Sequence, residues 1–211
     1  MEKIITTYFE EKKNIYNQLD IVKIEKLIET IIKSYEKDGT VYMFGNGGGS
    51  SIAEGFAVDL RTHPFVMEDK SISSKIKRSK VICLTESSGA LTGISNDIGF
   101  DQVFVEQLKN FMRSKEINKN DILICLSGSG NSKNACEAVT FVKNFNVQTC
   151  SISGRGGGKI SGMVDIPIII PGESNFPGQT GKNNNNFHIE DLQNSISHIV
   201  VGLFKKYIQS K

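Results

Sequence analysis

Five short apolar runs, at 41–44, 80–85, 121–126, 147–152 and 164–170, constrain this chain more than any other feature of its sequence. A run that is apolar at nearly every position, rather than at alternate ones, suits a strand buried on both faces. Helical patterns begin near 50, at 101–114 and at 132–145, a short helix is predicted after Gly156-Gly157-Gly158, and a long one from about 187 closes the chain. Strand followed by helix, repeated along the chain, predicts an α/β domain with a parallel sheet covered on both faces. Before the first run, Ile24, Leu27, Ile28, Ile31, Ile32 and Tyr35 recur at helical spacing and Asp38-Gly39 supplies a stop, so the opening ~38 residues are predicted helical. Pro167 inside the last run marks an edge strand, because proline donates nothing to a ladder.

Two of the runs end in unusual loops. The first is followed by Gly45-Asn46-Gly47-Gly48-Gly49-Ser50-Ser51, the third by Ser127-Gly128-Ser129-Gly130-Asn131-Ser132. Each can turn tightly into a helix while presenting bare backbone N–H groups and hydroxyls where the helix dipole favours an anion. In parallel sheets ligands sit beyond the carboxyl ends of the strands, where both loops fall. Neither is a nucleotide signature. Lys133 follows the second loop without the upstream G-x-x-x-x-G of a P-loop, and no G-x-G-x-x-G with a distant acidic residue is present. Serine-rich cradles without such a lysine suit a single phosphate monoester.

With 211 residues and a formal charge of +2, the chain reads as one domain: a helical segment 1–38, an αβ core 39–170, a loop 171–186 and a terminal helix 187–211. The mixed charges argue against a dedicated nucleic-acid protein, and the basic run Lys75-Ile76-Lys77-Arg78-Ser79-Lys80 reads as a solvated loop. Cys83, Cys125, Cys136 and Cys150 show no metal or disulfide spacing and read as reduced core residues. No apolar run approaches the ~18 residues that a membrane span requires, and Met1-Glu2-Lys3-Ile4-Ile5 lacks a signal-like apolar region. A cytoplasmic setting is expected. Residues 171–186 form a breaker-rich stretch, read either as a lid or as low complexity around Asn183–Asn186.

Taken together, Gly45-Asn46-Gly47-Gly48, 56–60, 96–100, 127–132, Ser153-Gly154-Arg155-Gly156-Gly157 and the last helix from Glu190 to His198 resemble the sugar isomerase (SIS) domain family, of the phosphoheptose isomerase type. The resemblance implies a three-layer, flavodoxin-like or Rossmann-like fold around a five-stranded parallel sheet, assembled as a homotetramer with sites at subunit interfaces. It implies interconversion of sedoheptulose 7-phosphate and a heptose 7-phosphate for lipopolysaccharide or capsule. Phosphate binding carries over to Ser127, Ser129 and Ser132, with Gly128 where a threonine is usual, and substrate contact to Asn46, Gly47, Gly48, Ser50, Asn96, Asp97 and Glu190. Aldose–ketose interchange also requires a base beside a carbon-bound proton and a donor beside the sugar oxygen. Asp59 and His198 are the corresponding base and acid.

The chain departs from the family at those positions. A His and a Glu four residues apart are usual on the helix after the first cradle, where Gly55 and Asp59 stand, and Glu54 is turned too far round the helix to substitute. On the last helix Glu190 replaces a neutral Gln, and Gln193 stands where a His is common. The zinc implied by the family would have Asp59, Glu190 and His198 as remaining ligands. Arg61, His63 and Glu86 are further candidates for substrate contact, with a solvated helix end or a helix cap as their other reading, and His188 for a ligand or proton donor. A second function stays open, a catalytically silent SIS module that binds a phosphosugar or a partner protein, like the replication-initiator-associating member of the family.

Overall fold

The computed structural model describes residues 1–66, 69, 75–113, 117–182 and 184–211. Strands β1 (Thr40–Gly45), β2 (Lys80–Cys83), β3 (Ile122–Ser127), β4 (Gln148–Ser153) and β5 (Ile166–Ile169) pair in parallel in the order β2-β1-β3-β4-β5. Each corresponds to one predicted run. Pro167 lies in β5, at the sheet edge, as its missing N–H requires.

The opening helical segment is two helices, α1 (Glu2–Tyr16) and α2 (Ile21–Glu36). Asp20 separates them by accepting the Lys23 N–H at 3.2 Å and capping α2. Then come α3 (Gly48–Thr62), α4 (Ser88–Asp97), α5 (Val103–Phe111), α6 (Lys133–Lys143) and α7 (Asn186–Gln209). α4 stands ahead of the helix predicted at 101–114, whose last residue lies outside the described residues. It has no buried residue and carries Gly89 and Gly93, so it lacks the apolar period that reveals a helix. The short helix after 156–158 is a single 3₁₀ turn, Ile160–Gly162, preceded by a tight turn at Arg155–Gly157.

Alternation along the strands sorts the core into two layers. Val41, Met43, Ile124, Leu126 and Ile152 face α2, α3 and α7, whereas Tyr42, Phe44, Leu123 and Cys125 face α5 and α6. Cys83, Cys125 and Cys150 are buried with free thiols, and burial pushes those of Cys125 and Cys150 well above their ordinary range. Among the described residues no helix is long and apolar enough to cross a membrane.

The predicted loop at 171–186 contains a small antiparallel pair, β6 (Glu173–Ser174) with β7 (Gly181–Lys182); Asn183 of the asparagine run lies outside the described residues. A polar cluster anchors this segment to α1. The Glu11 carboxylate accepts the Ser174 hydroxyl at 2.8 Å and the Asn175 N–H at 2.6 Å, and lies 2.9 Å from His188 Nε2. Tyr8 stacks on the His188 ring and donates its hydroxyl to Asp191 at 2.7 Å, where Lys12 joins it. The start of α7 is thereby fixed by the first helix of the chain.

Candidate functional site

The two cradles lie side by side because their strands do. Gly45 of β1 is in register with Leu126 of β3, so the loops that follow emerge together from the carboxyl edge of the sheet. Asn46 and Asn134 bind them with reciprocal amide hydrogen bonds of 2.8 and 3.1 Å. Those bonds occupy the Asn46 side chain, one of the groups that the resemblance assigns to substrate. Gly47 takes φ +56° at the N-cap of α3, a left-handed conformation that suits glycine.

Gly48 explains itself through α7. A Cβ there would come within 2.4 Å of the Glu190 carboxylate, which therefore rests against the first turn of α3. A carboxylate at a helix N-terminus is favourably placed in the helix dipole. Asn186 Nδ2 donates to Glu190 Oε1 at 3.0 Å, while Asn186 Oδ1 accepts from the Arg155 guanidinium at 3.3 Å. A Cβ on Gly128 would come within 2.8 Å of the same Oδ1. Where the family has a threonine, this chain has the amide of Asn186.

In the second cradle Ser127 Oγ accepts the Gly130 N–H at 3.0 Å and Ser129 Oγ the Asn131 N–H at 3.2 Å. Each hydroxyl keeps its own proton for an incoming oxygen. Ser132 is the N-cap of α6 without a side-chain capping bond. Gly154 N–H to Gly128 carbonyl, 3.2 Å, and Ile160 N–H to Gly130 carbonyl, 3.0 Å, bind in the loop after β4, a third glycine-rich loop at the same edge. Its signal, Gly154-Arg155-Gly156-Gly157-Gly158, was readable; its proximity to Asn186 was not. Asn96 and Asp97 end α4, exposed, with Asn96 Nδ2 bonded to Asp97 Oδ1 at 2.8 Å. Ser50 Oγ lies 3.5 Å from Glu54 Oε1.

Three turns along α3, Asp59 meets His198 of α7. His198 Nε2 lies 3.9 Å from Asp59 Oδ2, and His63 Nε2 lies 3.4 Å from Asp59 Oδ1. The carboxylate is partly covered and both rings are largely exposed. This sets an imidazole on each side of a partly exposed carboxylate where α3 and α7 lie together. Gly55, one turn earlier, has nothing within 4 Å of its added Cβ and is exposed. Gly55→Ala is expected to stabilise the fold by about 0.5–1 kcal/mol, since alanine lowers the entropy cost of a helix interior. A urea midpoint raised at unchanged slope is the measure.

The other candidates have partners of their own. Arg61 pairs with Glu86, and Ser87 rather than Glu86 caps α4 by accepting the Ala90 N–H at 3.1 Å. His188 is fully buried against Glu11 and Tyr8, and the buried Gln193 donates to the Ile152 carbonyl at 2.7 Å. Both hold α7 in place. Lys133 pairs with Asp101 at 2.6 Å.

No three His, Cys, Asp or Glu side chains among the described residues gather as ligands of one metal. Glu190 lies at the beginning of α3 and the Asp59–His198 pair about 16 Å of helix rise farther on. With Gly55 contributing nothing, the zinc ligand set implied by resemblance does not assemble within one chain.

Comparison with known proteins agrees with this architecture. A phosphoheptose isomerase of Helicobacter pylori (strain P12) is 34% identical over 162 residues, 77% of each chain, and that of Sulfurimonas denitrificans is 30% identical over 201 residues, 95% of this chain and 91% of the other. The structure of phosphoheptose isomerase GmhA from Neisseria gonorrhoeae shares the fold, with a TM-score of 0.76 at 23% identity over 97% of this chain and 98% of that one. The SIS domain model matches residues 7–154, and with these relatives it shows that the chain belongs to the SIS domain family, in its phosphoheptose isomerase group.

Proposed function

We propose that the protein is a sugar-phosphate aldose–ketose isomerase that converts sedoheptulose 7-phosphate to D-glycero-D-manno-heptose 7-phosphate for heptose or surface-polysaccharide synthesis. The observation that carries this reading is the meeting of Asp59 and His198, 139 positions apart in sequence, at 3.9 Å. Relatives that bear the name phosphoheptose isomerase support the substrate. Asp59 takes the proton from C1 of the ketose while His198 donates one to the C2 carbonyl oxygen, which gives a 1,2-enediol. Reprotonation at C2, with loss of the O1 proton, leaves the aldehyde at C1. Ser127, Ser129 and Ser132 hold the phosphate, remote from the reacting carbons, and so supply positioning. Asn96 and Asp97 contact the sugar. No step is routed through a metal, because the ligand set does not fit.

A homo-oligomer completes this reading. Resemblance implies sites at subunit interfaces, and Asp59 stands about 16 Å of helix rise beyond Gly48 of the first cradle. A second copy supplies the cradle that faces each acid–base pair. Val58, Ile199 and Leu203, all near half exposed beside the pair, are the apolar surface for that copy.

The alternative is a silent phosphosugar-binding module, favoured by Gly55. Sedoheptulose 7-phosphate incubated with the full chain and followed by NMR separates the two. Conversion is expected, and Gly55→His, which enters open space, is expected to raise it. Phosphosugar binding without conversion, unchanged by Gly55→His, would establish the module instead.

A further inference from the structure

We infer that Arg155 is the cation that binds the substrate's phosphate, held over the second cradle by Asn186; this rests on the isomerase reading of the cradles. Ser127, Ser129 and Ser132 offer hydroxyls but no charge, and a phosphate dianion taken from water calls for a charge-assisted donor. Lys133, the cation that follows the cradle in sequence, is engaged with Asp101 at 2.6 Å. The Arg155 guanidinium instead contacts the neutral Asn186 amide oxygen, itself against the Cα of Gly128 in the cradle. The amide can point only one way. Its oxygen accepts from a cation and its nitrogen donates to the Glu190 carboxylate at 3.0 Å, so Arg155, Asn186 and Glu190 form one string from the second cradle to the first. The space for that string comes from Gly128, where any side chain would strike Asn186.

The backbone adds an independent argument. Residues 155–158 all take positive φ, and only position 155 is not glycine. The other non-glycine residues with positive φ among the described residues, Asp38 and Asn146, are of types that tolerate it through local hydrogen bonding, whereas arginine is not. A strained arginine exposed at the carboxyl end of β4, in a loop otherwise glycine, places its cost at the site where a planar, permanently charged fork binds phosphate.

The alternative role, a brace between the β4 loop and α7, predicts a different pattern. Inorganic phosphate is titrated into the full chain by calorimetry, for wild type, Arg155→Gly, Arg155→Met and Arg155→Lys, with the thermal midpoint of each. The expected result is phosphate binding weakened about tenfold to a hundredfold in the Gly and Met variants and partly restored in Lys. The Arg155→Gly midpoint holds or rises, since glycine releases the strain. A brace would lower midpoint and affinity together in the Gly variant, and that outcome overturns the inference. Affinity unchanged in Gly and Met also overturns it, leaving the isomerase reading in place; a wild type that binds no phosphate removes both.

Discussion

Asp59→Asn should lower conversion of sedoheptulose 7-phosphate by about a thousandfold or more, within the range that a positioned base contributes, while phosphosugar affinity changes only severalfold. The substitution keeps the shape of the side chain and removes the one function assigned to it. His198→Ala should cost about a hundredfold by loss of the donor. The double variant should fall little below Asp59→Asn alone, because groups that act as a unit do not add. His63, 3.4 Å from the same carboxylate, is exposed and offers a second imidazole, so His63→Ala is the informative control. A small effect there, beside a large one at His198, places the acid on α7. Turnover retained by Asp59→Asn would sink the acid–base assignment.

The second large effect is on stability. Glu11→Ala should destabilise the fold by on the order of 3 kcal/mol, lowering the thermal midpoint by roughly 6–12 °C for a chain of this size. The carboxylate is the common acceptor for Ser174, Asn175 and His188, and its removal strands a fully buried imidazole whose Nδ1 already lacks a partner among the described residues. Burial pushes the Glu11 carboxyl up, but the hydrogen bonds from the Asn175 N–H, His188 and Ser174 together outweigh it and hold the group below its ordinary value. A depressed carboxyl stabilises the folded state above its unfolded value, and that contribution is lost as pH falls through the folded one. Thermal melts from pH 6 downward should therefore show a steeper acid loss in wild type than in Glu11→Gln. Parallel curves would contradict the role given to this carboxylate.

The sheet was legible because its strands are apolar on both faces and glycine punctuates their ends. The cradles were legible for the same reason, and the Asp59–His198 pair through resemblance, which aligned two helices that periodicity alone would leave unrelated. What escaped notice lies in pairs joined by tertiary approach. Glu11 is an ordinary acidic residue of an amphipathic helix until the chain returns at 174–175, and His188, just after the asparagine run in sequence, is buried against Glu11 rather than turned to the cradles. Asn186 sits in an asparagine run that reads as low complexity. α4 hid because none of its residues is fully buried, with only Leu91 and Ile94 packed in part against the core. In the sequence Gly48 and Gly128 read as parts of the anion cradles, and the structure adds that they leave room for Glu190 and Asn186.

That α7 follows every strand in chain order and carries Glu190, Asn186 and His198 bears on when the protein becomes competent during synthesis. Domains fold progressively from the N-terminus as the chain is made. The five strands of the main sheet and both cradles are complete by residue 170, yet the acid–base pair has only its Asp59 half and Gly48 lacks its Glu190 neighbour until α7 leaves the ribosome. Truncation anywhere before 198 should give a chain with the phosphate loops encoded and no turnover, so catalytic competence waits for a helix translated after the whole main sheet.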